Sequence, residues 1–308
     1  MRIVENPKKE EKLIREIIKK YGHTPDHNFD WLMCCADEGE PQVAVFEDKY
    51  LIWCFVNKKE WVICTDPVAP TETHKKILSE LINYLLSKNT DKIFFLDVRG
   101  GVNNFCKETY LDHYFIEYEL VWPILNMEKF DSSLPGGHFK TIRNAKNKFY
   151  KENNIEIFSI ISVNKKDLHE VVDCWKKHRD KSGIENIFQN RYHKMIDNNF
   201  LGTKSARAMA VNGKISGFNA GWETPNVPGD YSAAIGIHDF STKDLGLALL
   251  LEDLEWIKKA GYKTCDLEGS EPTPLKFKMQ FLPEKTYKTY SFYISAAPKE
   301  KLNIPPSH

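Results

Sequence analysis

The sequence predicts an α/β (α+β) fold of two lobes in tandem, because one unit of strand, tight turn, strand, tight turn, strand, long amphipathic helix and strand occurs twice. The first copy runs Val43–Phe46, turn Glu47–Lys49, Tyr50–Val56, turn Asn57–Glu60, Trp61–Thr65, a helix over Thr71–Lys88, then Ile93–Val98. The second runs Ala206–Val211, turn Asn212–Lys214, Ile215–Trp222, a Pro/Gly loop, Asp230–Gly236, a helix over Lys243–Ala260, then Tyr262–Leu267. Order and spacing repeat, while residue identity between the copies is low. The run Ser132-Ser133-Leu134-Pro135-Gly136-Gly137 punctuates the chain between them and sets the expected lobes at 1–131 and 132–308.

The remaining elements follow from the same periodicities. After Pro7, Leu13, Ile14, Ile17 and Ile18 share one face of an opening surface helix over Lys8–Tyr21, which Gly22 ends. Phe29–Cys35 is short and apolar and fits helix or strand, and Gly100-Gly101 turns the chain toward a helix or loop. Tyr114–Leu125 is aromatic and β-branched enough for a strand, and Ile155–Ile161 reads as another. Asp167–Ser182 and Asn190–Asn199 read as helices, and Lys285–Ser295 alternates as a closing strand. Beyond Ala297, two adjacent prolines predict a frayed tail.

At 308 residues, each copy with its flanks is long enough to bury a core. Lys plus Arg and Asp plus Glu are both 43, so no global field steers polyanions, and any phosphate or nucleic-acid site must be a local patch. Apolar runs such as Leu51–Val56 fall far short of a bilayer span and the N-terminus is charged, so a soluble, cytoplasmic protein is expected. Seven cysteines without CxxC or zinc spacing read as reduced thiols, and the ten histidines show no metal pattern. Walker, Rossmann and G-x-S-x-G motifs are absent, which removes the common NTPase, dinucleotide and serine-hydrolase classes.

Three stretches concentrate chemistry. Lys243-Asp244-Leu245-Gly246-Leu247-Ala248 opens the second long helix, where unpaired backbone N–H groups and the dipole suit a phosphate; an ordinary helix start gives the same pattern. His138, Lys140, Arg143, Lys146, Lys148 and Lys151 fall within fourteen residues with no acid between them. On a helix Lys140, Arg143 and Lys146 overlap one face and suit phosphates, opposite Phe139, Ile142, Ala145 and Phe149. The third stretch, Asp266-Leu267-Glu268-Gly269 followed by Lys276-Phe277-Lys278, puts carboxylates at a strand's C-terminal end, where open α/β sheets hold ligands. Asp266 or Glu268 is the candidate base for an attacking amine, and Lys278 the candidate positive charge near an oxyanion or donor phosphate. Asn219, Trp222 and Tyr231 are candidates to line a substrate cleft.

The helix start at 243–248 resembles the pyrophosphate loop of the acetyl-CoA-binding N-acetyltransferase (GNAT) superfamily, with Lys243 in place of the usual Arg or Gln. Thr65-Asp66-Pro67-Val68-Ala69-Pro70, the 139–149 run and Leu275-Lys276-Phe277-Lys278-Met279-Gln280-Phe281 together resemble the C-terminal domain of phosphatidylglycerol lysyltransferases, the DUF2156 family. The last run is also similar to the Phe-Lys-x-x-Phe ending of Fem-type peptidyltransferases. The resemblance implies two tandem GNAT-like lobes, each a mixed, mostly antiparallel sheet flanked by helices. It further implies transfer of an aminoacyl or acyl group from a cosubstrate, aminoacyl-tRNA or acyl-CoA, to an amine or hydroxyl, with no tightly bound cofactor. By position, Lys140, Arg143 and Lys146 would face phosphates and Lys278 would support the reacting ester. tRNA and a small-molecule or peptide amine are the expected partners. Asp266-Leu267-Glu268-Gly269 differs from the Gly-x-Ala-Pro run associated with the lipid synthases. An acetyl-CoA-dependent N-acetyltransferase and a noncatalytic RNA- or nucleotide-binding protein are the alternatives. Copy one has Pro67 and Pro70 where a phosphate loop would lie, so copy two is the expected working lobe.

Overall fold

The computed structural model describes residues 1–35, 39–57, 60–88, 90–181 and 188–298; the end of the expected 167–182 helix, the middle of the 57–60 turn and the tail past 298 lie outside them. In chain order the elements are β1 (Arg2–Val4), α1 (Glu11–Tyr21), α2 (Phe29–Cys34), β2 (Glu40–Phe46), β3 (Tyr50–Asn57), β4 (Glu60–Ile63), α3 (His74–Ser87), β5 (Lys92–Arg99) and α4 (Gly100–Thr109). There follow β6 (Tyr114–Asn126), α5 (Lys140–Glu152), β7 (Ile155–Ser159), α6 (Lys165–Lys181), α7 (Asn190–Asp197), β8 (Ser205–Val211), β9 (Lys214–Glu223) and β10 (Asp230–His238). The chain ends with α8 (Leu245–Lys259), β11 (Thr264–Asp266), α9 (Pro272–Lys278) and β12 (Lys285–Ser295).

The repeat is present. In each copy three antiparallel strands precede a helix, and the strand after the helix pairs in parallel with the third: β4 with β5, and β10 with β11. The first hairpin of each copy closes on consecutive residues of positive φ, Glu47 and Asp48 in one and Asn212 and Gly213 in the other. That is the turn whose twist matches paired strands. Phe29–Cys34 is a helix because the Asn28 side chain accepts from the N–H groups of Asp30 and Trp31 and so caps it.

The chain divides into two compact units, one of Met1–Trp122, Gly269–Glu271 and the chain from Tyr287, the other of Pro123–Glu268 and Pro272–Thr286. The expected lobes, 1–131 and 132–308, differ from this for two physical reasons. The 132–137 linker is not a spacer, since Leu134 is buried in the core of the second unit. The closing strand leaves that unit, because β12 pairs antiparallel with β5 from Thr289 opposite Arg99 to Ser295 opposite Lys92.

The first unit has strand order β1-β2-β3-β4-β5-β12-β6. β3 is buried on both faces, which accounts for its unbroken apolar run. Ile52 and Cys54 pack with Ile77, Leu81 and Leu85 of α3, while Leu51, Trp53 and Phe55 pack with Ile14 and Ile17 of α1 and Phe29 of α2. The second unit has the order β6-β11-β10-β9-β8-β7. Tyr231 and Cys265 on one sheet face meet Leu251, Leu254 and Ile257 of α8 and Ile142 of α5, and Met209 and Val211 meet Phe149 and Leu249. α6, with Leu168, Val171 and Val172 buried, packs against β9 and β10.

Candidate active site

Strand register in the second unit sets Trp222 of β9 opposite Ser232 of β10, Ser232 opposite Asp266 of β11, and Asp266 opposite Ile124 of β6. These residues share one face of the sheet, and all four are buried. β10 runs on to His238, but its pairing with β11 stops at Ser232 and its register with β9 shifts between Ser232 and Ile235. The row therefore lies where two parallel strands part at their C-terminal ends, a recurrent ligand position in α/β sheets.

Past β11 the chain reverses at Glu268, which has φ 66°. The Glu268 N–H donates to Asp266 Oδ1 at 2.8 Å, and the Ser232 hydroxyl donates to Glu268 Oε1. From α9, Lys278 Nζ donates to the carbonyls of Leu267 and Glu268, the latter at 3.1 Å. Backbone N–H, carbonyl and side chain of Glu268 are thus all held, while Glu268 stays half-buried on the unit's surface. Burial lowers the Lys278 pKa, and attraction to Glu268 and Asp266 offsets part of that. A carboxylate beside a desolvated ammonium can take a proton from a nucleophile while positive charge lies close to a developing oxyanion.

Asp266, Glu268 and Lys278 are thus brought together as the sequence suggested, and Ser232 joins them unforeseen. Its signal was parity: with Cys265 and Tyr231 turned to the core, Ser232 and Asp266 share the other face.

The expected cleft of Asn219, Trp222 and Tyr231 does not form on one face. Asn219 is buried on the α8 side, donating to the Leu249 carbonyl at 2.7 Å. Tyr231 is a fully buried core residue between Trp256 and Tyr262, its hydroxyl without a hydrogen-bond partner among the described residues. Only Trp222 stays on the Ser232 side, because alternate strand residues change face.

The expected phosphate groups are also differently engaged. A Cβ on Gly246 would lie 2.8 Å from Cε1 of His238, so glycine is needed there for close approach of that ring. Burial pushes the His238 pKa down to about 4, and a neutral imidazole covers this part of the first turn of α8. Lys243 is exposed on the loop before it. On α5, Arg143 donates to the carbonyls of Leu134 at 2.5 Å and Gly136 at 3.1 Å, and Lys146 to that of Ser132 at 2.9 Å. These two cations fasten the 132–137 segment, while Lys140 is exposed at the helix start.

In the first unit, the segment after β4 folds back so that Val68 bridges Leu51 of β3. Asp66 is buried there; burial alone would raise its pKa, but the nearby His23 ring, 3.9 Å away, and a hydrogen bond from the Arg99 N–H hold it below the usual carboxylate range. His27 Nε2 donates to the Asp66 carbonyl at 2.9 Å, and the ring is fully enclosed. Among the described residues no group of three or more His, Cys, Asp or Glu side chains is placed to hold a metal ion, and no helix is long and apolar enough to cross a membrane.

The duplicated α/β unit defines the fold as tandem GNAT-like, and the family to which the chain belongs makes the protein an acyltransferase. A tandem GNAT protein from the clavulanic acid biosynthesis pathway is similar over 97% of this chain and 99% of its own, at 10% identity and a TM-score of 0.57. The chain belongs to the family described as phosphatidylglycerol lysyltransferase, C-terminal, whose model matches residues 15–264. The match ends before Asp266, so the carboxylate turn and Lys278 lie beyond it. The C-terminal DUF2156 domain of a putative lysylphosphatidylglycerol synthetase from Agrobacterium fabrum is 15% identical, with 94% of this chain and 92% of that chain covered and a TM-score of 0.67. L-PGS from Bacillus licheniformis is 15% identical, with 98% and 95% covered and a TM-score of 0.68. None of the curated proteins matches the sequence.

Proposed function

We propose that the protein transfers an aminoacyl group from aminoacyl-tRNA to an amine or hydroxyl acceptor at the Asp266, Glu268 and Lys278 site. The observation that carries this reading is the restraint of Glu268: three bonds fix the residue beside the Lys278 ammonium while it stays half-buried. In the proposed step the acceptor's lone pair attacks the ester carbonyl carbon and its proton passes to Glu268. The ester C–O bond then breaks, and the departing ribose oxygen takes that proton back. Lys278 has three N–H donors and uses two of them on the Leu267 and Glu268 carbonyls, so its charge and a third donor serve the oxyanion. Family membership supports an aminoacyl donor, since the family description names lysyl transfer and phosphatidylglycerol, a hydroxyl acceptor. Acyl-CoA is the weaker candidate because His238 covers part of the α8 turn that would hold a pyrophosphate.

The test is incubation with a pool of tRNA charged with radiolabelled amino acids, with phosphatidylglycerol vesicles, soluble amines and peptides as separate acceptor arms. Label should move to one acceptor, and Glu268→Gln and Lys278→Ala should each slow transfer by about 100-fold. Consumption of acetyl-CoA with no loss of label from any tRNA would overturn the reading.

A further inference from the structure

We infer that Ser232 is a positioning residue that keeps the Glu268 carboxylate ionised and aimed. This rests on the proposed role of Glu268 as the base. Ser232 is completely buried, so its hydroxyl cannot be the group that meets substrate. It lies directly opposite Asp266 in the parallel ladder, and the Asp266 carboxylate in turn takes the Glu268 N–H at 2.8 Å. The serine hydroxyl donates to Glu268 Oε1, fixing that oxygen.

The arrangement has a chemical reason. Glu268 turns back with φ 66°, a conformation that a glutamate does not favour by itself, and so needs partners to stay there. Its backbone is fixed by Asp266 and Lys278, but neither of those bonds orients the carboxylate. The Ser232 bond does, and a donor to the charged form also favours ionisation. Lys278 donates to the carbonyls of Leu267 and Glu268, whereas the hydroxyl donates to the carboxylate itself. Serine is completely buried there, in register between Trp222 and Asp266.

Two readouts on the full chain test this, and one needs no substrate. With glutamate side chains 13C-labelled at the carboxyl carbon, Glu268→Gln identifies the Glu268 resonance, and Ser232→Ala should move its titration up by about 1 pH unit. In the charged-tRNA assay, Ser232→Ala should lower kcat at least tenfold with little change in KM and shift the acid limb of the pH profile upward, with the melting transition retained. Ser232→Cys should recover only part of both effects, because a thiol is a weaker donor. An unmoved Glu268 titration in a folded Ser232→Ala protein overturns the inference. Should Glu268→Gln keep full transfer, the reading of Glu268 as the base fails, whatever Ser232 does to its titration.

Discussion

Gly246 shows how one residue type can carry two meanings. In the sequence it opens a helix in a setting that resembles a phosphate loop; in the fold it makes room for the His238 ring. The two roles separate experimentally. Gly246→Ala puts a methyl group within 2.8 Å of Cε1 of His238. The ring must move, and we expect a loss of about 1–2 kcal/mol in urea unfolding after the gain in helix propensity. Truncating the ring in the same chain, Gly246→Ala with His238→Ala, should be less damaging than the two single losses added together. A phosphate-loop role would instead show as a raised donor KM with stability unchanged. The sequence could not distinguish these because contact between residues 238 and 246 depends on how the intervening loop turns, with Phe240 and Asp244 both at positive φ.

At the scale of elements, α5 and the copied strands were legible for different reasons. Period-2 and period-3.6 patterns fix which residues are core, so the strands of both copies and the buried face of α5, Ile142 and Phe149, fell where expected. Asp266, Glu268 and Lys278 were legible as a cluster because they follow one strand end closely. What was not legible was partnership across the chain: Ser232 with Glu268, or the opposite facing of Asn219 and Trp222, whose grouping required strand register. The basic run on α5 is a further instance, since charge spacing gave the face and not the acceptors. Arg143 and Lys146 bond backbone carbonyls of the segment just before their own helix. Arg143→Ala is therefore expected to speed amide exchange across 132–137 and to cost about 1–2 kcal/mol. Lys140→Ala, which removes an exposed charge, should leave stability within about 0.5 kcal/mol and reduce any salt-dependent tRNA binding instead.

Acid should separate the two units of the molecule, because their buried titrating groups pull in different directions. In the first unit, burial and the neighbouring His23 push the His27 pKa from 6.5 down to about 3. Between those values the unfolded chain takes up a proton that the folded one refuses, so stability falls as pH drops, by up to about 1.4 kcal/mol for each unit. Asp66 adds to this at still lower pH: its depressed pKa gives stability that is present above the ordinary carboxylate range and lost as it protonates. In the second unit His238, lowered to about 4, acts like His27. Asp253 opposes it: burial, only partly offset by Arg207, raises it from 3.8 to about 6. Between 3.8 and 6 the folded Asp253 holds a proton that the unfolded chain has released, so its contribution grows as pH falls. The two nearly cancel over that window. From pH 7 to pH 5 the first unit should lose about 2 kcal/mol on account of His27 alone, and the second less than about 1. Amide exchange resolved by segment should show this as earlier opening of β2, β3 and β5 than of β8, β9 and β10 at pH 5, with the gap narrowing at pH 7. Replacing His27 by Gln should reduce the pH slope of the first unit, and an equal acid response in both sets of strands would show that these buried groups do not govern it.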